Sequence, residues 1–208
     1  MFIVGVAMPF SFAARKNKGD SGKDITKHVL KRSLLLLVIG WALYCIGPGK
    51  IVFRFQNVLA QLSVTYLLAY LVMKKPAWFQ ISFSIFLLAL TEVLYRGFWV
   101  EGFTSAFTPG QNFGAWFNIL IDGEEGGGHW AMFNAIPTAA HTIWGVLIGQ
   151  LLMSDRKAKK KMAIMAISGV VLLILGYSFS SLTPIIKRIS TSTFVLASGG
   201  YTILAILL

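Results

Sequence analysis

Residues 123–152 read GEEGGGHWAMFNAIPTAAHTIWGVLIGQLL, and they pass from an acidic, glycine-rich loop into a long apolar run. A helix over residues 131–153, rising about 1.5 Å per residue, would cross the roughly 30 Å of a bilayer's hydrocarbon core. The polar and small residues of this run follow one another at intervals of three or four, so they would form one stripe on the helix. The stripe consists of Asn134, Thr138, His141, Gly145 and Gly149. We expect it to face other helices, because lipid offers polar groups no partner.

The remaining faces of this helix, represented by Ile143, Leu147 and Leu151, are expected to meet lipid or a looser contact. His141 has two open interpretations, a satisfied packing residue or a functional intramembrane group. His129 is the stronger candidate for catalysis, because it stands where the loop meets the helix and follows three glycines that permit close backbone approach. A flexible linker is the alternative interpretation of these glycines.

A shared metal site is not expected for the two histidines. Twelve residues of helix would place them roughly 18 Å apart, which is too far for one ion. The chain has a single cysteine, Cys45, so it has neither a cysteine cluster nor an intrachain disulfide framework.

The composition identifies an integral membrane protein. Hydrophobic residues make up 56% of the 208 residues and charged residues only 13%, whereas soluble domains carry about a quarter charged residues. The apolar runs lack the strict alternation of barrel strands. We therefore predict an all-α, polytopic transmembrane helical bundle that forms a single domain over residues 1–208. About seven spans are expected, the first and last of them incomplete: 1–14, 33–48, 56–73, 77–95, 131–153, 162–180 and 193–208.

The net charge of +11 is distributed unevenly between the loops. Segments 15–32, 74–75 and 156–161 hold 14 of the 19 basic residues, and the alternate loops hold five. This asymmetry predicts that the basic segments are cytoplasmic. The charge is therefore a topology signal and does not indicate a nucleic-acid partner. Basic inner loops could also bind lipid phosphates or a phosphorylated cofactor, and the charge count does not separate these two.

Polar residues on the outer side are candidates for a binding pocket. Arg54, Asn57 and Gln61 cluster over two helical turns near the outer interface, although interfacial anchoring explains Arg54 equally well. Glu92 and Arg96 lie four residues apart on one helix face. They either satisfy each other, or Glu92 assists proton transfer in an outer cavity.

The longest loop, residues 97–130, is predicted to lie outside. Loops of this length are uncommon unless they form lids or binding sites. Its aromatic residues, carboxylates and asparagines suit a polar, sugar-like ligand, on which Trp130 could stack. Contact of the aromatic residues with lipid headgroups is the alternative interpretation.

Four segments resemble the membrane acyltransferases related to heparan-α-glucosaminide N-acetyltransferase. They are FIVGVAMPFSF at 2–12, RFQNVLAQLSVTYLLA at 54–69, IPTAAHTIWGVLIGQLL at 136–152, and the final connection with Pro184, Lys187, Thr191 and Ser192. In that last motif Ser190 stands where the family has tryptophan. The histidine proposed for catalysis in the family would lie before residue 1, so the chain resembles a member that is incomplete at both ends.

The resemblance implies transfer of an acyl group, often acetyl, from cytosolic acyl-CoA to an external sugar or amino-sugar acceptor. Basic inner loops suit the phosphates of CoA. His129 and Glu92 are then the expected catalytic residues, with His129 accepting the acceptor's proton rather than carrying the acyl group. The expected substrate-binding residues are Asn134, His141, Arg54, Asn57, Gln61 and Trp130.

Further expectations follow from the same resemblance. The protein would be a multi-pass protein of a bacterial plasma membrane whose partners are lipid, the acceptor and, as an open possibility, a second copy of the chain. Residues 1–208 alone are expected to show no transfer. Two alternatives remain open at this stage: a transporter of small polar solutes, and a fragment without activity.

Overall fold

The computed structural model describes all 208 residues and is entirely helical. The α-helices are α1 (Phe2–Asn17), α2 (Gly22–Ile46), α3 (Val58–Val72), α4 (Ala77–Gly97), α5 (Phe113–Asp122), α6 (Ala135–Met153), α7 (Ala158–Ser178) and α8 (Ser192–Ala205). Seven of them correspond to the predicted spans. The eighth, α5, was not predicted and lies within the long loop.

The composition of the helices confirms the predicted membrane class. By length and hydropathy, α2, α4, α7 and the segment Gly127–Met153, which contains α6, could each cross a membrane. Helices α3 and α8 are apolar but shorter. Because consecutive helices run in opposite directions, the connections gather at two ends. We call the end with segments 47–57, 98–134 and 179–191 the loop end, and the end with segments 18–21, 73–76 and 154–157 the basic end.

Helix α6 occupies the centre of the bundle. Thirteen of its 19 residues are buried, and it packs mainly on α1, α3 and α4, with a smaller contact on α8. The predicted inward stripe is confirmed, because all five of its members are buried. The predicted exposure of Ile143 is wrong: this side chain is fully buried in the core. Helices surround α6 at the depth of Ile143, whereas Leu147 and Leu151 are only partly buried, as expected for a looser contact.

The contact between α1 and α6 depends on glycine. A Cβ added to Gly145 would collide with the Phe2 carbonyl oxygen and lie 3.0 Å from the Gly5 Cα. A Cβ on Gly149 would collide with the Val6 carbonyl oxygen. Small residues at such positions allow helix backbones to approach closely in membranes. This contact holds α1 against the centre of the bundle.

Two predicted helix starts are wrong. Helix α2 begins at Gly22 rather than at residue 33, because Ser21 and Asp24 form a capping box with hydrogen bonds of 3.1 and 3.2 Å. The predicted inner loop is therefore a short turn, and its lysines mostly lie on α2. Helix α6 begins at Ala135 rather than at residue 131, with Pro137 in its first turn, where proline is tolerated. The residues before it form two short 3₁₀ turns.

Candidate functional site

His129 forms a pair with a carboxylate at the loop end. Its Nδ1 lies 2.6 Å from Oε1 of Glu125, which precedes it by four residues. The imidazole is about half exposed, while the carboxylate is more buried. With a proton on Nδ1, the ring donates to Glu125 and leaves Nε2 free to accept a proton from an outside group.

The backbone around this pair is held in an unusual conformation. His129 has a φ of 55°, in the left-handed region that non-glycine residues rarely occupy. Asn118 of α5 fixes the loop on both sides, since its amide donates to the carbonyl oxygens of Glu125 and Trp130 at 2.9 and 2.7 Å. Its Oδ1 accepts from the backbone N–H of Met132 at 2.9 Å. Helix α5, absent from the prediction, therefore positions His129.

A buried polar cluster lies below this loop. The Gln61 amide donates to Asn134 Oδ1 at 2.8 Å and to Thr138 Oγ1 at 3.2 Å. Thr138 also lies 3.1 Å from the Ser190 hydroxyl, in the connection between α7 and α8. The cluster links α3, α6 and that connection. Gln61 also borders a cavity of about 410 Å³, whose other lining residues are apolar.

Hydrogen bonds within the connection between α7 and α8 stabilise its conformation. The Thr191 hydroxyl donates to the Pro184 carbonyl at 2.8 Å and accepts from the Ile186 backbone N–H at 3.0 Å. Thr191 is also the N-cap of α8. Ser190 has a φ of 51° and is buried. The residues of the resembling motif thus build a tight connection from within, and Ser192 extends it to a neighbouring helix.

Glu92 attaches this connection to α4. One of its oxygens accepts from Ser192, and the other accepts from Thr183 at 3.1 Å and from Arg96 at 2.9 Å. Arg96 in turn donates to the Leu182 carbonyl at 2.7 Å. Since both carboxylate oxygens are engaged, Glu92 holds the start of α8 and the connection before it.

His141 lies in the bundle interior and bonds only to α8. Its Nε2 is 2.7 Å from the Val195 carbonyl oxygen and 3.1 Å from the Ser198 hydroxyl. The ring lies edge-on against Trp144 of its own helix. These partners satisfy Nε2 of the imidazole and couple α6 to α8.

Arg54 and Asn57 anchor the connection between α2 and α3. Arg54 pairs with Asp122 and Glu124 of the long loop, and the hydrogen bond to Asp122 raises the pKa of the guanidinium. Asn57 caps α3 through Ala60 at 2.9 Å and donates to the Gly40 carbonyl at 2.8 Å. Both predicted binding residues therefore tie segments of the loop end together.

The predicted site residues fall into separate sets, and the α7–α8 connection links three of these residues, Glu92, Asn134 and Trp130. This connection contacts Glu92 through Ser192, Asn134 through the Arg188 carbonyl at 3.4 Å, and Trp130 through Lys187, whose Nζ is 5.7 Å from the ring centroid. His129 forms no hydrogen bond with Glu92, Asn134 or His141; its partner is Glu125. Sequence reasoning counted Glu125 and Asn118 only among the polar residues of the long loop and Ser190 only as part of the final motif, and it missed their contacts with His129, with the loop around it and with Thr138. The spacing of four residues between Glu125 and His129 was the available signal.

The fold and the site identify the chain only as a helical membrane protein, with a histidine–carboxylate pair at one end and lysines without ion pairs at the other. Comparison with known families is more specific. The model of the heparan-alpha-glucosaminide N-acetyltransferase catalytic family matches residues 1–183. The chain belongs to this family, which indicates membrane acetyltransferase activity in general. The match ends just before Pro184, so it does not include the motif of the α7–α8 connection. No curated protein matches the chain.

Proposed function

We propose that the protein transfers an acyl group, most simply acetyl, from cytosolic acyl-CoA to a sugar or amino-sugar acceptor on the opposite side of the membrane. Family membership supports the reaction class. The charge asymmetry supports the sidedness, since 14 of the 19 basic residues gather at the basic end. The same positive charge suits the phosphates of CoA.

The observation that carries the proposal is the contact of 2.6 Å between His129 and Glu125. A carboxylate that accepts from one imidazole nitrogen fixes the tautomer and directs the other nitrogen outward. Nε2 of His129 can then accept a proton from the acceptor's amine or hydroxyl. Backbone strain at His129 agrees with this role, since such strain is concentrated at functional sites.

The reaction balances with these groups. The carbon–sulfur bond of the acyl thioester breaks, CoA leaves as its thiolate and takes up a proton from the cytosol, and the acyl carbon forms a new bond to the acceptor nitrogen or oxygen. The proton lost by the acceptor passes to His129. Trp130, beside the histidine, offers an indole face on which a sugar ring could stack. Glu92 and the polar cluster of Gln61 and Asn134 hold the surrounding segments in place.

The test is transfer of labelled acetyl from acetyl-CoA to glucosamine in membranes that contain the full-length protein. His129→Ala should lower acceptor turnover by about 10²–10⁴-fold, the usual range for loss of a general base. His28→Ala is the matched control, because His28 lies on α2 near the basic end, where it contacts Arg15. It should leave turnover close to wild type.

Two results would contradict the proposal. Unchanged acceptor kinetics in His129→Ala would reduce the histidine to a loop anchor. Uptake of the sugar into vesicles without any acetylated product would identify a transporter instead of an acyltransferase.

A further inference from the structure

A long groove between α2 and α3 opens at the basic end. Its volume is about 1320 Å³. Two hydrogen bonds of 2.7 Å fix the register of its walls, one between Thr26 and Tyr70 and one from the Ser63 hydroxyl to the Ser33 carbonyl. The groove follows the surface of α2 from the capping box to Leu37, and it lies at the opposite end from the His129 loop.

The mouth of the groove carries positive charge without any neutralising carboxylate. It is lined by Lys23, Lys27, Lys31 and Lys74. None of these lysines forms an ion pair, and no carboxylate lines the groove. The nearby Asp24 is engaged in the capping box with Ser21. The mouth therefore presents four ammonium groups without an ion-pair partner to a ligand, and one of them, on Lys74, also lies 4.9 Å from the centre of the Phe12 ring.

Deeper along the groove the lining becomes apolar. Leu34, Leu37 and Leu67 line this part, and Leu34 is 61% exposed. Between the lysines and these leucines lies Ser33, which is only 2% exposed and whose hydroxyl has no hydrogen-bond partner. A buried polar atom without a partner is costly. Since Ser33 borders the groove, a ligand oxygen there would satisfy it.

We infer that this groove binds an anionic phospholipid from the leaflet that faces the basic end. The lysines would contact the phosphate, Ser33 would donate to an ester oxygen, and one acyl chain would lie along the leucines. Along the groove the lysines, the Ser33 hydroxyl and the leucines follow one another in the same order as the phosphate, the glycerol ester and the acyl chain of a phospholipid. An acetyl thioester has no hydrocarbon chain that would need the apolar part, so the groove fits a lipid better than the acyl donor.

The experiment is native mass spectrometry of the full-length protein after extraction from phosphatidylcholine bilayers that contain phosphatidylglycerol. The triple variant Lys23→Gln, Lys27→Gln, Lys31→Gln should retain less phosphatidylglycerol, by about fivefold per lysine and so about a hundredfold in total. The matched control, Lys157→Gln, Lys159→Gln, Lys160→Gln, removes the same charge outside the groove. It should retain phosphatidylglycerol as wild type does.

A second arm tests the depth of the site and the identity of the ligand. Ser33→Ala should weaken phosphatidylglycerol retention, whereas Ser180→Ala, at a partly buried hydroxyl of the loop end that donates to the Tyr177 carbonyl, should not. Equal loss in both triple variants would show that only overall charge matters and would overturn the site. Displacement of the lipid by acetyl-CoA would reassign the groove to the acyl donor. Circular dichroism of each variant separates these results from unfolding, and none of them depends on His129.

Discussion

The two ends of the bundle handle charge in opposite ways. The loop end has five basic and five acidic residues, and three of the chain's four arginine–carboxylate ion pairs lie there together with the His129–Glu125 hydrogen bond. The basic end has 14 basic and three acidic residues, and its only ion pair joins Arg15 and Asp20. At the loop end, charged side chains therefore fix loops and a histidine in place. At the basic end most of them have no carboxylate partner and are available to anionic groups.

Under the proposed function, this difference would assign different tasks to the two ends. Paired charges and buried amides give the loop end a defined geometry, which proton transfer requires. Free lysines give the basic end attraction for phosphates without a fixed geometry, which suits lipid headgroups and CoA. The central helix α6 joins the two ends.

The largest effect should come from disrupting the contact between α1 and α6, because α6 joins the loop end to the basic end. Gly145→Leu would force a side chain into the Phe2 carbonyl region, where backbone must move because no flexible side chain can yield. We expect the protein to fail to accumulate in the membrane, as measured by fluorescence-detected size-exclusion chromatography. Gly47→Leu is the control, since Gly47 has open space around it and a φ of −57°. Normal accumulation of Gly145→Leu would show that α1 does not pack on α6 in this way.

A smaller effect is expected from the partner of His129. Glu125→Gln keeps the shape of the side chain but removes the charge that orients the imidazole, so acceptor turnover should fall about ten- to a hundredfold. The loss should be smaller than that of His129→Ala. Glu101→Gln is the matched control, because Glu101 is an exposed carboxylate of the same loop outside any ion pair. Equal acceptor turnover in Glu125→Gln and Glu101→Gln would show that the His129–Glu125 pair does not contribute to the reaction.

The smallest effect on stability is expected for cysteine substitutions that show on which side of the membrane each end lies. In a Cys45→Ala background, cysteines at Lys18, Lys159 and Glu101 replace exposed residues, where changes usually alter stability by less than about 0.5 kcal/mol. An impermeant thiol reagent applied to intact cells should label position 101 and spare 18 and 159, because the basic end is expected to be cytoplasmic. The reverse labelling pattern would place the loop end, and with it the proposed acceptor site, on the cytosolic side.

Much of the fold was predictable because long apolar runs and loop charges are strong signals. The exposure of Ile143 was not, since lipid and protein interiors are both apolar and hydropathy does not distinguish them. The start of α2 was missed because its lysines resemble a loop, although Ser21 and Asp24 form the capping signature. Helix α5 was missed because its ten residues lie inside a segment rich in loop-forming residues.

The site was predictable in part. The glycines before His129 directed attention to a residue that the structure pairs with Glu125, but tertiary contacts decided its surroundings. Asn118 reaches the loop from a helix that sequence reasoning did not identify. Asn134 and Gln61, proposed as binding residues, bond to each other across α6 and α3. Pairing of that kind depends on how helices pack, which a single sequence does not specify.

The central claim is that His129 accepts a proton from the acceptor at the loop end. Chemical rescue tests it most directly: acetyl transfer by membranes with His129→Ala is measured as imidazole is added. Because the native side chain is about half exposed, free imidazole should reach the vacated space and restore much of the lost turnover. N-methylimidazole of the same basicity but larger size should restore less. Full loss of transfer in His129→Ala with no response to imidazole would contradict a proton-accepting role and leave His129 as a structural support of the loop.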